Sequence, residues 1–395
     1  MNTKGIILSA RHVFPVVSPV IKDGAVYVRD GLIHDVDRLG RLARRYRADT
    51  VELGSGMLMP GFINGHVHLE LGFLQAKLDP EDDFPAWILG IVKQRLTLSR
   101  KKAAIGVREG IEVLVRSGVV GVGEISTIGI DRQPLLDAPL YTVLFREATS
   151  LRKLVERPYT RGAAIEERPF LHAPYSTPAE AYREAPARFA TYGTHIAESI
   201  DECRLVAGQD NNFARRLGLL VRRDPAMAGS RSPVDYLYRL GFFRKHATLV
   251  HFVHTDRHDL ALAASHGAGI VLCPRSNAYL GVGLPDIGLL RDYPRLGIGT
   301  DGLSSNYSLD MIDEIRFLYL IARPVLKSKA GMFAIEAATI RGARALFIED
   351  RLGSIERGKR AGLIYLDTDV VKDPYLSIIN TPSSQIRNLY DTVFH

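Results

Sequence analysis

Cysteine is almost missing: Cys203 and Cys273 are the only two in a chain of 395 residues. That excludes a disulfide framework and a Cys-rich metal site, so any metal here rests on histidine and carboxylate. Long hydrophobic runs are missing as well. No segment approaches the roughly 18 uninterrupted apolar residues needed to cross a bilayer, and the run from Gly5 to Ala10 is interrupted by Arg11 too soon to be a secretory signal. The expectation is a soluble, cytoplasmic protein with no membrane partner. Internal repeats and low-complexity tracts are also lacking. The excess of positive charge is small, 51 Lys and Arg against 44 Asp and Glu, a formal +7. Its densest cluster, Arg38, Arg41, Arg44, Arg45 and Arg47, has no interleaved aromatics and reads as a solvated helical face rather than a nucleic-acid surface. A net positive field still favours an anionic small-molecule substrate.

What is present is ordinary globular material, 46% hydrophobic and 24% charged, enough for a large core. The first fifty or so residues alternate short β-like runs with turns, as in Gly24 to Val28, Asp30-Gly31 and Leu32-Ile33. From Leu58 onward, short apolar runs (Val119 to Val122, Tyr141 to Phe145, Ala247 to Phe252, Gly269 to Cys273, Leu296 to Ile298) alternate with amphipathic stretches. Sustained over almost three hundred residues, that alternation favours a parallel sheet with helical crossovers, and the length suits a (β/α)₈ barrel. Gly353 to Leu366 looks like a return to β structure. The expected fold is therefore α/β: a barrel over residues 59–349, inserted into a small β-sandwich built from residues 1–58 and 350–395. Gly208 to Pro233, polar and Arg-rich, reads as a long loop or insertion, and the end of the chain shows no obvious final strand.

The chemistry concentrates in Pro60-Gly61-Phe62-Ile63-Asn64-Gly65-His66-Val67-His68-Leu69-Glu70. Side chains at i and i+2 of a strand share a face, so His66 and His68 at a strand end would point together into a barrel mouth. Taken alone, H-x-H also fits two surface histidines. Downstream, His195 and Glu198 stand in Gly193-Thr194-His195-Ile196-Ala197-Glu198, His251 follows Leu249-Val250, and Asp301 closes Leu296 to Thr300. Three imidazoles and a carboxylate suit one divalent ion, Zn²⁺ or Fe²⁺, with a position left for water. Such a centre acidifies water towards neutral pH. Glu198 is then placed to move protons, and His251 to orient or deprotonate the water.

These ordered motifs resemble the amidohydrolase superfamily, in the branch holding guanine deaminase, methylthioadenosine/adenosylhomocysteine deaminase and the triazine hydrolases. The resemblance covers essentially the whole chain: the Pro60-Gly61 to His68 entry, His195-x-x-Glu198, His251, Cys273-Pro274-Arg275-Ser276-Asn277, Thr300-Asp301-Gly302 and Gly353-Ser354-Ile355-Glu356-x-Gly358-Lys359. It implies a distorted barrel beside a β-sandwich and a single metal ion on His66, His68, His195 and Asp301. It also implies that Glu198 protonates a substrate ring nitrogen, that Asp301 relays a proton from water to departing ammonia, and that His251 polarises the water. The implied reaction is hydrolytic deamination. Gly362 stands where relatives usually carry Asp.

The substrate reading rests on two further motifs. His172, in Leu171-His172-Ala173-Pro174-Tyr175-Ser176, resembles an element lining the ribose region of nucleoside deaminases. Phe84-Pro85-Ala86-Trp87-Ile88, followed by Lys93-Gln94-Arg95, is similar to the pattern of aminodeoxyfutalosine deaminases of the alternative menaquinone pathway. In the thioadenosine deaminases an acidic ribose-binding residue precedes the matching Arg, and here Lys93 and Gln94 occupy that place. A benzoate-bearing substrate would pair with a cation such as Arg95 or Arg146. Ser276 and Asn277 complete the expected substrate contacts.

Other residues stay double in meaning. His254 fits either a substrate contact or a structural hydrogen bond, and Trp87 either core packing or a pocket wall. Glu124 is an alternative metal ligand, since some amidohydrolases use a Glu there. Cys273 reads as buried and inert, and His12, His34, His246, His258, His266 and His395 have no partner pattern. Oligomeric state is open, a homodimer being the commonest soluble assembly. A scaffold that has lost catalysis would lack ligands, whereas here His66, His68, His195, Glu198, His251 and Asp301 are all present.

Overall fold

The alternating N-terminal runs pair into a mixed sheet. In the computed structural model, which describes residues 5–78, 83–96, 98–150, 153, 158–209, 212–370 and 373–394, it begins with β1 (Ile6–Val13), β2 (Ile21–Arg29) and β3 (Leu32–Arg38), an antiparallel meander. The β2–β3 turn is Asp30-Gly31, both with positive φ (54° and 71°), the conformation a two-residue hairpin needs to match strand twist. Two further strands, β4 (Asp49–Glu52) and β5 (Met57–Pro60), run parallel beside β1.

The chain then leaves this sheet across one residue. Gly61 N–H still bonds to Gly362 of the small sheet's C-terminal part (3.0 Å), while Phe62 N–H already bonds to Gly118 in the larger sheet (2.9 Å). That sheet consists of β6 (Phe62–Val67), β7 (Val119–Ser126), β8 (Tyr141–Ala148), β9 (Ile165–Leu171), β10 (Thr191–Ile196), β11 (His246–His251), β12 (Gly269–Leu272) and β13 (Leu296–Ile298). Each strand pairs in parallel with the next, in sequence order. Every residue of β6, β7 and β12 is buried, as expected for strands covered on both faces.

The eighth strand nearly closes on the first. Asp301 N–H donates to the His66 carbonyl at 3.0 Å. A Cβ on Gly299 would lie 2.5 Å from the His66 nitrogen, so only glycine lets the strands approach. Helices occupy the crossovers, among them Arg100–Arg116, capped by Ser99, and Arg257–Ser265, opened by an Asp256/Asp259 capping box.

The chain returns to the small sheet in β14 (Leu363–Leu366) and β15 (Ile386–Asn388), giving the order β15-β14-β5-β1-β2-β3 with β4 on β1. The α/β fold with a barrel and a separate sheet from both chain ends is thus present. A final strand exists after all; at three residues, with only Ile386 buried, β15 is too short to show a period-2 pattern. Within the expected loop Gly208 to Pro233 sit the short helix Asn212–Leu217 and two 3₁₀ turns. No helix among the described residues is long and apolar enough to cross a membrane. His395 lies outside the described residues.

Candidate active site

The polar residues singled out in the sequence gather where the barrel strands end. His66 lies in β6 and His68 just beyond it, His195 in β10, Glu198 two residues past that strand, His251 at the last position of β11, and Asp301 three residues after β13. In a barrel of this type the C-terminal strand ends form the floor of the reactive mouth. The backbone there is forced into unusual conformations: Ala197, His251, Phe252 and Asp301 all have positive φ (52°, 76°, 51° and 56°). For side chains carrying a Cβ such angles cost energy, and they persist because surrounding contacts hold them.

Six side chains converge. Ring nitrogens of His66, His68 and His195 lie within 4.8 Å of one another, as do ligand atoms of His66, His251 and Asp301. The Asp301 Oδ1 atom stands 3.6 Å from Nε2 of His66 and 3.8 Å from Nε2 of His68. On the other flank, Oε1 of Glu198 is 3.6 Å from Nε2 of His251. All are buried.

Burial decides their protonation. It presses His68 down to about 4, with His66 adding to the effect, and pushes His251 down to about 3. His195 also falls well below the ordinary value, first through burial and then through the surrounding rings. These imidazoles are neutral lone-pair donors at physiological pH. For Asp301, burial pulls upward, but the adjacent rings of His66, His68 and His251 outweigh it and hold the carboxyl well below its usual range. Glu198 goes the other way: burial, then Asp301 and Glu202, raise it well above a normal glutamate.

The group fits a divalent ion on its own geometry. Nδ1 and Nε2 of His66 and Nδ1 of His68 are buried without hydrogen-bond partners, a costly state that a coordinated cation relieves. His195 Nδ1 lies 2.9 Å from the His172 carbonyl oxygen, so that nitrogen carries the proton and Nε2 is left to bind.

Hydrogen bonds from neighbouring side chains and backbone hold these groups. Asp301 Oδ2 accepts from the hydroxyls of Ser276 (2.7 Å) and Ser305 (3.0 Å), and Oδ1 from Gly302 N–H (2.7 Å). The Asn277 side-chain amide stands 3.1 Å from His251 Nδ1. Asn64 ties β6 to the β13 end through Thr300, bonding its Oγ1 (2.8 Å) and its N–H (3.1 Å). Glu202 accepts the Glu198 N–H at 3.1 Å. Asn64, Ser305 and Glu202 were not picked out from sequence; Asn64 lies inside the Gly61 to His68 motif, but nothing in spacing alone distinguished it.

The outer residues divide. His172 Nδ1 meets Ser176 Oγ at 2.6 Å. Arg95 reaches Thr127 Oγ1 at 3.4 Å and its charge bears on His68 and His172, placing it beside the cluster. Trp87 donates Nε1–H to the Ser304 carbonyl (2.9 Å) and packs with Phe84, Tyr175, Phe213 and Leu280 in an apolar group over the strand ends. Arg146 is not brought to the histidines: its guanidinium lies 3.6 Å from the Tyr159 ring centre and faces Glu167. His254 Nε2 is bonded to the Val282 carbonyl at 2.6 Å. Glu124 spends its carboxylate on Leu69 N–H (3.0 and 3.2 Å) and is in none of the candidate ligand groups among the described residues.

A model of the amidohydrolase family matches residues 57–157 and 224–390, and the chain belongs to that family. Among its relatives, an aminodeoxyfutalosine deaminase from Nitratiruptor is 28% identical over 93% of this chain and 94% of its own. A 5-methylthioadenosine/S-adenosylhomocysteine deaminase from Moorella thermoacetica is 27% identical over 94% of this chain and 87% of its own. In fold, a Helicobacter pylori aminofutalosine deaminase in complex with methylthio-coformycin superposes with a TM-score of 0.83 at 23% identity, covering 96% of this chain and 99% of its own. An adenosine deaminase from Xanthomonas campestris with bound zinc gives a TM-score of 0.80 at 23% identity, covering 96% and 90%. The chain is a hydrolytic deaminase of this metal-dependent family.

Proposed function

We propose that this enzyme deaminates an adenosine-like nucleoside, with 6-amino-6-deoxyfutalosine as its substrate and menaquinone synthesis by the futalosine route as its setting. The observation that carries the reading is the buried Glu198 carboxyl facing His251 across from the Asp301 carboxylate, beside the clustered imidazoles of His66, His68 and His195. Such a site gives one proton and takes another within a single cavity.

His66, His68, His195 and Asp301 would hold one divalent ion, Zn²⁺ or Fe²⁺, whose chemistry is to acidify water and stabilise developing negative charge. Glu198, kept protonated by burial, donates to the ring nitrogen beside the amino-bearing carbon, making that carbon electrophilic. Asp301, kept ionised, accepts a proton from the attacking water and delivers it to the amino group, which departs as ammonia. The remaining hydroxyl proton returns to Glu198 as the C–N bond breaks, so the product is the ring lactam and the enzyme is restored. His251, its Nδ1 occupied by Asn277, directs Nε2 to the attacking oxygen. Ser276 and Ser305 fix the carboxylate that moves the proton.

Support for the futalosine-type substrate is the Arg95 side chain beside the cluster and the absence of an acidic residue at Lys93 and Gln94. The Moorella relative supports methylthioadenosine or adenosylhomocysteine as the alternative; guanine and triazine-type substrates follow. Ammonia release by metal-loaded enzyme on aminodeoxyfutalosine, methylthioadenosine, adenosylhomocysteine, adenosine and guanine tests these together. Preference for aminodeoxyfutalosine by kcat/KM supports the reading, preference for another member replaces the pathway, and silence on all five with metal bound overturns the nucleoside assignment.

A further inference from the structure

The helix Pro274–Tyr279 starts directly behind β12 and carries outer partners of both Asp301 and His251. Ser276 donates to Asp301 Oδ2 at 2.7 Å, and the Asn277 amide stands 3.1 Å from His251 Nδ1. Its own sequence does not secure its start. Cys273, at the N-cap, makes no side-chain cap bond, and Pro274 has no N–H to give. The first amide that needs an acceptor is that of Arg275, and it finds one 39 residues further on. Oε1 of Glu314, in the helix Met311–Leu326, accepts it at 3.1 Å.

Glu314 is fully buried, and a buried carboxylate is costly unless it is paired. Arg275 supplies the counter-charge: its Nη1 lies 3.6 Å from Glu314 Oε2, and its side chain is 1% exposed. The same guanidinium donates to the Asp310 carbonyl (3.4 Å) and lies 4.3 Å from the Tyr307 ring centre. Asn306 completes the tie. Its side chain hydrogen-bonds Glu314 and donates Nδ2–H to the carbonyl of Thr300, the residue before Asp301, at 2.7 Å. One carboxyl thus joins the ends of β12 and β13, while belonging to none of the candidate ligand groups among the described residues. Apolar residues of similar volume could fill this space without loss of stability. What they could not supply is an acceptor for the Arg275 N–H.

We propose that Glu314 is a positioning residue for the deamination: it sets the start of the turn bearing Ser276 and Asn277, and through them the aim of Asp301 and His251, with Arg275 as its counter-ion. This rests on the roles given to Asp301 and His251 above.

The test changes both charges together, because removing one would leave the other buried and unpaired. Arg275→Met/Glu314→Leu removes the ion pair and the acceptor, whereas Arg275→Met/Glu314→Gln removes the ion pair and keeps the acceptor. Each is loaded with Zn²⁺ and assayed on whichever of the five compounds above wild type turns over fastest, and Kd for the deaminated product is measured beside it. In the first variant kcat should fall by about tenfold to a hundredfold, the worth of an outer partner, with product Kd near wild type; the second should restore most of the loss. Combined with Asn277→Ala, the first should lose less than the product of the two separate losses, because both act through His251. Equal kcat in the two variants, or losses that multiply, would overturn the inference while leaving the deaminase reading intact. Metal content and Tm show whether each variant is loaded and folded. Should the first variant not fold, Glu314→Asp decides: the shortened side chain keeps a charge near Arg275 but withdraws the acceptor, and a wild-type kcat there would overturn the inference. Wild type silent on all five compounds, with metal bound, overturns the reading of Asp301 and His251 and this inference with it.

Discussion

The amide of Asn277 stands 3.1 Å from Nδ1 of His251, at a position where the His251 backbone has a φ of 76°. With the amide nitrogen donating, the ring's proton is placed on Nε2, the nitrogen 3.6 Å from Glu198. Asn277→Ala therefore frees the ring to rotate and change tautomer without touching a metal ligand. Such outer partners are worth about 10-fold to 100-fold in activity, so kcat should fall by that much with metal content unchanged. An unaltered kcat would show that His251 needs no such partner.

Glu198→Gln separates proton donation from metal binding. The amide cannot release a proton to a ring nitrogen, and Glu198 is outside the candidate ligand groups. Deaminase activity should drop by about 10² to 10⁴ while metal analysis matches wild type. His66→Ala and Asp301→Ala should instead lose metal and activity together. A fully active Glu198→Gln enzyme would remove the role assigned to this residue.

The polar cluster was legible because its signal is local: an i, i+2 pair at a strand end and single polar residues closing apolar runs, as at His195, His251 and Asp301. What escaped depends on partners far away in sequence. Ser305 joins the site because its segment is brought against Ser276, on a different strand end, where both hydroxyls meet the Asp301 carboxylate. The two arginines were indistinguishable in sequence, since strand parity at Arg146 depends on where β8 begins. The small sheet was harder to delimit for a related reason: Met57–Pro60 and Phe62–Val67 read as one apolar run but serve two sheets.

That difference between the arginines is itself testable. Arg95 stands beside Thr127 near the histidine cluster, and Arg146 lies on Tyr159. With a benzoate-bearing nucleoside, Arg95→Met should raise KM by about tenfold or more, the worth of a charge-assisted hydrogen bond, with kcat little changed. Arg146→Met should leave KM near wild type. An unchanged KM in both variants would remove the benzoate pairing.

Removing the metal should be felt in stability as well as activity. The buried, unpartnered nitrogens of His66 and His68 lose their only compensation when the ion leaves. An ion present at a thousand times its Kd stabilises the fold by about 4 kcal/mol. Chelation should lower Tm, and added Zn²⁺ or Fe²⁺ should restore it together with ammonia release. Identical melting curves for loaded and chelated protein would count against a tightly held ion.

A pH dependence should arise from carboxyls on the other side of β6. Glu124 is fully buried, faces Asp131 and Glu70, and bonds Leu69 N–H. Glu70 accepts N–H groups from Thr127, Ile128 and Ile130 (2.8, 2.8 and 3.1 Å), and Asp131 accepts from Ser126 Oγ at 2.7 Å. Burial and then the Asp131 charge raise Glu124 well above its ordinary 4.5 and Glu70 to about 7, and burial raises Asp131 too. Acids whose folded pKa is raised favour the folded state in their protonated form. Their contribution is complete below the unfolded pKa and is lost as pH climbs through the folded one, here from about 4.5 past 7. Glu124→Gln keeps an acceptor for Leu69 and offers an N–H to Asp131, fixing the neutral arrangement at every pH. Tm of the variant should therefore stay close to wild type at pH 5 and exceed it increasingly towards pH 8.5. A difference in Tm that does not grow over that interval would mean that Glu124 is not the group holding the proton.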